Sequence, residues 1–224
     1  MGDGPTIRDA ATVIAIRDRT TVPRVLMGQR GAQAVFMPMK FVFPGGAVDP
    51  GDAAIPLPPL AEPCATRLAS NSPPDMAPAL AAAAIREFWE ETGLLLGTPG
   101  DWPDAPDDWR DFAATGHRPD PSGLSFIFRA VTPPGRPRRF DARFFLIEAE
   151  TAIASDPDDF SAASDELSHL QWIPLSEIRR FDLPFITEIV LAEVAARLDN
   201  PGPPDSVPYF AQGEEDQLFK RLRG

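Results

Sequence analysis

Arg86-Glu87-Phe88-Trp89-Glu90-Glu91-Thr92-Gly93 is the stretch that decides the reading of this 224-residue chain. It closes a segment that starts at Ala79 and runs through Ala81, Ala82, Ala83 and Ala84. Alanine is the strongest helix former, so a helix is predicted from Ala79 to Thr92. Gly93 stands where a left-handed residue ends such a helix. Glu87, Glu90 and Glu91 are spaced i, i+3 and i+4 and lie on neighbouring parts of one face. Like charges so placed repel, and the last turn is the negative end of the helix macrodipole. A cation held among the three acids relieves both penalties. Mg2+ takes oxygen ligands and keeps several waters. Taken alone, the run also reads as a solvated face, with Arg86 and Glu90 supporting each other at i, i+4.

A loop upstream shifts the balance. Phe43-Pro44-Gly45-Gly46-Ala47-Val48-Asp49-Pro50-Gly51-Asp52 follows an apolar run from Phe36 and is dense in turn residues. The adjacent Gly45 and Gly46 let backbone come close to a ligand or metal. Together the two stretches resemble the Nudix box of the Nudix hydrolases, G-x5-E-x7-R-E-U-x-E-E-x-G-U, where U is apolar. Gly46 opens the box, and Arg86 through Leu94 fill its second half without a mismatch. There are two departures. Asp52 stands where the family has Glu, and 33 residues lie from Ala53 to Ile85 where the pattern has 7. A box split at this point is similar to that of a coenzyme A diphosphatase subgroup. The Phe-Asp-x-x-Phe-Phe stretch of that subgroup has a counterpart in Phe140-Asp141-Ala142-Arg143-Phe144-Phe145.

The resemblance covers Thr12 to Leu198 and implies an α/β/α sandwich with a mixed β-sheet, a Pro-rich insertion at 53–78 lying outside the pattern. It implies hydrolysis of a diphosphate linkage in a nucleoside diphosphate derivative, with coenzyme A or an acyl derivative as the first substrate to try. Glu87, Glu90 and Glu91 then hold Mg2+ or Mn2+, with a carbonyl from Gly46. Arg86 orients the glutamates. Arg30, Gly45 and Gly46 contact the substrate. The family often takes a further acid from a loop before a late strand, and Glu166 is the choice here, with Asp165 second. A reading from another class is a Nudix-fold sensor that binds a nucleotide ligand without hydrolysis. Such modules typically lose a box acid, and all three helix acids are present. Isomerisation of a diphosphate ester needs further residues that the sequence does not offer.

An apolar fraction of 43% suffices for one sizeable core. The net charge of −12 argues against a nucleic-acid polymer as partner. Lys40 and Lys220 are the only lysines; the remaining cations are arginines, which suit bidentate phosphate contacts. A single cysteine, Cys64, forms no internal disulfide and fits a reducing, cytoplasmic compartment. No run reaches the ~20 apolar residues of a membrane span, and no secretory signal is visible. Met1, Gly2 and Thr6 match a myristoylation pattern formally; Asp3 and Pro5 inside it argue coincidence. The expected partner is a small-molecule diphosphate, with no membrane, and a homodimer stays open.

Along the chain, Ala11 to Ile16 and Arg24 to Gln29 read as a strand hairpin. The seven prolines of the 53–78 insertion predict irregular chain, with a helical turn around Ala61 to Ala69, that forms a lid or substrate-selecting wall beside the site or else a surface decoration. A strand is expected to start at Leu94 to Leu96, and a short helix with Trp109 and Phe112 on one face within Asp101 to Ala114. Further strands follow at Gly123 to Val131, Phe140 to Ala149 and His169 to Pro174. Arg136, Arg138 and Arg139 form the one basic cluster. A turn at Ser176 to Arg180, capped by Ser176, precedes an amphipathic helix from Leu183 to Leu198. The domain is placed at 1–199. A tail at 200–224 follows, ending in a short helix at Gln217 to Leu222.

Overall fold

The computed structural model describes residues 6–69, 72–73, 75–212 and 217–223. The formal myristoylation pattern falls largely on residues 1–5, outside that range. Strands are β1 (Ile7–Arg17), β2 (Arg24–Arg30), β3 (Phe41–Val42), β4 (Gly45–Ala47), β5 (Gly97–Pro99), β6 (His117–Pro119), β7 (Ser125–Val131), β8 (Arg139–Glu148), β9 (Leu167–Pro174), β10 (Val207–Gln212) and β11 (Gln217–Leu222). Helices are α1 (Cys64–Ala69), α2 (Met76–Thr92), α3 (Arg110–Ala114), α4 (Ala149–Ala152) and α5 (Phe185–Ala195).

Side chains of β1 alternate between two cores. Ala11, Val13 and Ala15 join one, Ile14 and Ile16 the other, and all five are fully buried. A strand buried on both faces needs a layer on each side. The β8 strand, parallel to β1, alternates the same way: Phe145 and Ile147 face the first core, Phe144 and Leu146 the second. Among the described residues one mixed sheet runs β11-β10-β7-β8-β1-β2-β3, with β4 on β1 and β9 on β2. Helices α1, α2 and α3 contribute to the first core and α5 to the second. This is the α/β/α sandwich with a mixed sheet. No helix among the described residues is long and apolar enough to cross a membrane.

The alanine run does more than favour a helix. Ala81, Ala82, Ala83 and Ala84 are fully buried, and their small side chains let α2 lie close on Ala11 and Ala15 of β1. The helix starts at Met76, one turn before the alanines. Pro78 falls in that first turn, where a missing N–H is tolerated.

Expectation and structure differ in four places. The insertion holds the expected helical turn as α1, but Ile55, Cys64 and Leu68 are buried in the α2-side core. Its middle is packed core rather than loose chain. Leu94 to Leu96 fill that core without forming a strand; β5 begins at Gly97 and pairs only with β6. The turn after β9 is a 3-10 helix, Ile178–Arg180, with Glu177 before it and no side-chain cap from Ser176. Finally, Gln217 to Leu222 is strand β11, antiparallel to β10, which itself lies parallel to β7. Six amphipathic residues satisfy either period, and the open edge of β10 decides for a strand.

The Phe140 to Phe145 stretch ties these parts together. Asp141 takes a bidentate pair from Arg129, 2.9 and 2.6 Å. Arg143, 2% exposed, pairs with Asp9 and donates to Ser72 Oγ at 3.0 Å. One buried guanidinium therefore joins β1, β8 and the returning end of the insertion.

Candidate active site

Gly93 ends α2 in the left-handed region, φ 72°, with its N–H on the Trp89 carbonyl at 2.7 Å. Three other chain segments meet that helix end. Ser164 N–H donates to the Glu90 carbonyl at 2.7 Å, which pins the acidic loop on the last turn. Leu167, buried, begins β9 opposite Arg30, the last residue of β2. Gly45 opens β4, and its N–H donates to Glu91 Oε2 at 2.7 Å. At Gly46 a Cβ would stand 2.3 to 2.4 Å from the Glu87 carboxyl atoms. Only glycine lets that carboxylate rest against the strand. The fold thus brings together Glu87, Glu90, Glu91, Gly45, Gly46, Arg30 and the segment bearing Glu166.

Arg86 is the hub beneath them. Its Nε and Nη2 fork onto Asp52 Oδ1 and Oδ2 at 3.1 and 3.0 Å. Nη2 also donates to the Ala47 carbonyl at 3.1 Å. Nη1 reaches Glu87 Oε1 at 2.9 Å and Glu90 Oε2 at 3.3 Å. Asp52, 2% exposed, takes the Asp49 N–H as well, at 2.8 Å. The residue that departs from the box pattern is therefore the buried anchor of Arg86, which in turn holds two glutamates. Asp52→Asn leaves a buried guanidinium short of a counter-charge, a change that costs roughly 3–5 kcal/mol. For a chain of this size that lowers the melting temperature by roughly 10 °C. A thermal melt checks it; an unchanged midpoint would remove Asp52 from this role.

Burial raises all three carboxylates above their ordinary range. Burial pushes Glu87 up from 4.5 to about 7, against the pull of Arg86. Burial likewise pushes Glu91 up to about 8; the Gly45 N–H and Arg30 oppose the rise, while Glu87 and Glu166 add to it. Glu90 is raised by burial too, with Glu166 and Asp108 adding to the rise. Burial works against the charge of Arg86, but Asp52 and Glu87 hold it firmly protonated. Glu166 is exposed, yet its charge bears on all three helix acids.

A divalent cation fits this donor set. The groups are hard oxygens, and burial raises two of them, Glu87 and Glu91, a rise that a bound cation would oppose. Arg30 Nε is a buried donor with no acceptor among the described residues. As placed, the acids do not converge on one point: Glu87 and Glu90 turn to Arg86, and Glu91 to Gly45. No metal cage of three or more His, Cys, Asp or Glu is closed among the described residues.

The raised acids fix a pH dependence. Between pH 4.5 and about 8 the folded chain binds more protons at Glu87 and Glu91 than the unfolded chain does. Stability from this source is full below the lower value and is lost as pH rises through the upper one. The melting temperature without metal is expected to fall from pH 5 to pH 8 by roughly several degrees, and Mg2+ to restore more of it at the higher pH. A midpoint flat with pH and indifferent to Mg2+ would contradict this.

Two contributors lack a sequence signal. Asp108, which acts on Glu90, stands in an acidic stretch that reads only as a cap over the core. The hydrogen bond from Ser164 to the helix end is a backbone contact that no side-chain pattern announces.

No family model matches the chain. Among curated proteins it is 28% identical over 183 residues to a Caenorhabditis elegans protein carrying the name nudix hydrolase 7, an alignment covering 76% of this chain. The chain spans about half the length of that relative, 52%. Among solved structures, a NUDIX hydrolase from Alicyclobacillus acidocaldarius matches at 31% identity with a TM-score of 0.62, over 89% of this chain and 99% of that one. Likeness at that level over nearly the whole of a solved enzyme, with Arg86 and the three glutamates gathered on the glycine strand, places the chain in the Nudix hydrolase family.

Proposed function

We propose that this chain hydrolyses a diphosphate linkage in a nucleoside diphosphate derivative, with coenzyme A or its acyl derivatives as substrate. The supporting observation is that three carboxylates at the end of α2 share one site with the glycine strand, with Arg86 bonded to two of them and the Gly45 N–H to the third. Glu87, Glu90 and Glu91, with the Gly46 carbonyl, would hold Mg2+ or Mn2+. When bound, the metal neutralises charge on the phosphoryl oxygens and makes the attacking water more acidic. Arg86 keeps Glu87 and Glu90 in place through its fixed fork. Arg30, with a buried donor not yet used, binds a diphosphate oxygen beside Glu91. Glu166 takes the proton of the attacking water. The non-hydrolysing sensor is the poorer reading, since Asp52 keeps the charge of the box position and all helix acids remain.

Incubation with Mg2+ and a panel of coenzyme A, acyl derivatives, dinucleotides and nucleotide sugars tests the reading, with products identified by mass. Cleavage between the phosphates, with coenzyme A ahead of the others, is expected. No cleavage of any member would overturn the diphosphatase; a different leading substrate would overturn the coenzyme A assignment.

A further inference from the structure

Strand β9 reaches the site through an irregularity in its pairing with β2. Met27 stands opposite Gln171 and Gln29 opposite Ser168, so Gly28 alone faces two residues, His169 and Leu170. That is a β-bulge, one extra residue in β9. His169 carries the bend, with φ 53° in the left-handed region. Histidine takes that conformation more readily than most residues, and a β-branched residue is an outlier there. His169 is exposed, so packing of its ring does not hold the bend.

The extra residue decides which side of the sheet each β9 side chain takes. Trp172 packs on the α2-side core, opposite Leu26 of the same core. Strict alternation from Trp172 would put Leu170 and Ser168 on that side and Leu167 on the other. With the bulge, Leu167 and Leu170 share the α2 side. A Cβ on Gly28, two residues from Leu26, would stand 2.8 Å from Leu167 Cβ, and 3.0 Å from Leu167 Cδ1 and from Leu170 Cδ2. The two leucines thus occupy the space that a side chain at position 28 would need. Leu167 is buried there opposite Arg30, and Ser164, three residues earlier, gives its N–H to the Glu90 carbonyl at 2.7 Å. Glu166 lies between these anchors. Among the described residues β9 pairs only with β2, whereas β2 is held on its other edge by β1 and β3. Crowding at Gly28 therefore displaces β9 and the chain that leads into it.

Resting on the diphosphatase reading and on Glu166 as its base, we propose that Gly28 and the left-handed bulge at His169 are positioning residues that set Glu166 against the helix acids. Neither touches the substrate; both act through the depth and the side at which Leu167 enters the sheet. Gly28 leaves room for Leu167 to lie on β2, and the bulge turns Leu167 to the side that bears the carboxylates. Their effect belongs to the chemical step. A misplacement of about 1 Å in a reacting group costs on the order of a hundredfold in rate, while contacts that only hold the diphosphate are spared.

Three variants test this. Gly28→Ala pushes Leu167 outward, His169→Val opposes the left-handed bend, and His169→Gly removes the ring but keeps the bend. The first two should lower kcat by about tenfold to a hundredfold with KM within about twofold of wild type, and His169→Gly should stay within about twofold in both. In a Glu166→Gln background, Gly28→Ala and His169→Val should each cost less than about a further twofold, because the group they position is gone. A merely structural lesion would cost the same in both backgrounds. Hydrogen exchange of the Ser164 amide gives a readout that needs no turnover: faster in Gly28→Ala and His169→Val, unchanged in His169→Gly. The exposed position of His169 keeps the test in force if Gly28→Ala does not fold. Additive losses in the double variants, equal losses in His169→Gly and His169→Val, or Ser164 exchange unaltered by His169→Val would each overturn the proposal. Failure of the diphosphatase reading shows differently, as no cleavage of any diphosphate by wild type.

Discussion

Glu91→Gln is expected to lower kcat by roughly two to three decades and, without metal, to raise the melting temperature. The two effects come from the same burial. Glu91 is 2% exposed, and its ionised form is opposed by that burial and by Glu87 and Glu166. Glutamine keeps an oxygen for the Gly45 N–H at the 2.7 Å position and carries no charge to desolvate. The metal-free fold therefore gains what repulsion and desolvation had taken from it. On the proposed metal site, catalysis loses a ligand oxygen and one negative charge. A bound cation contributes several kcal/mol of charge stabilisation, and each 1.36 kcal/mol is a decade, so weakening it by roughly 3–4 kcal/mol gives the stated loss. Glu90→Gln should match it in rate but not in stability, because Glu90 keeps 41% of its side chain in water. Turnover with Mg2+ and melts with and without Mg2+ give both readings. Wild-type turnover in Glu91→Gln would break the metal-site assignment, and a lower metal-free midpoint would break the electrostatic account.

What was legible in the sequence is what short periods encode. The α2 acids, the Gly93 cap and the glycine strand are local patterns, and each constrains its neighbours within a turn or two. The core strands were legible because β1, β7 and β8 are apolar on both faces. Roles set by distant partners were not. Asp52 read as a conservative departure from the box, yet its position beneath Arg86 depends on how the 33-residue gap folds back. Prolines made the insertion look loose, although Cys64 and Leu68 of α1 are buried in the core; proline count reports on backbone regularity and not on burial. The strand at Gln217 to Leu222 needed the edge of β10, a partner that no six-residue window contains.

Glu166 is where local and distant information meet, and its replacement gives the last expected result. The residue lies between two fixed points. Ser164 is held by the Glu90 carbonyl at 2.7 Å, and Leu167 is buried opposite Arg30. The backbone at Glu166 is thereby kept beside the helix acids while the side chain stays in solvent. Its charge bears on Glu87, Glu90 and Glu91, yet none of the ion pairs of Arg86 includes it. Glu166 lies near the cluster and outside the Arg86 network, whereas Glu87 and Glu90 are engaged by Nη1. A general base must reach the attacking water directly or through one water, and its loss costs roughly two to four decades. Glu166→Gln should therefore lose that much kcat at saturating Mg2+ and keep its Mg2+-dependent melting temperature. Asp165→Asn, one residue away on the same loop, should stay close to wild type. The pairing distinguishes proton transfer from a general effect of loop charge, which would lower both variants alike. Turnover of Glu166→Gln within about twofold of wild type from pH 5 to pH 9 would take Glu166 out of the mechanism, since a base lost from the reacting water cannot be replaced by solvent at that rate.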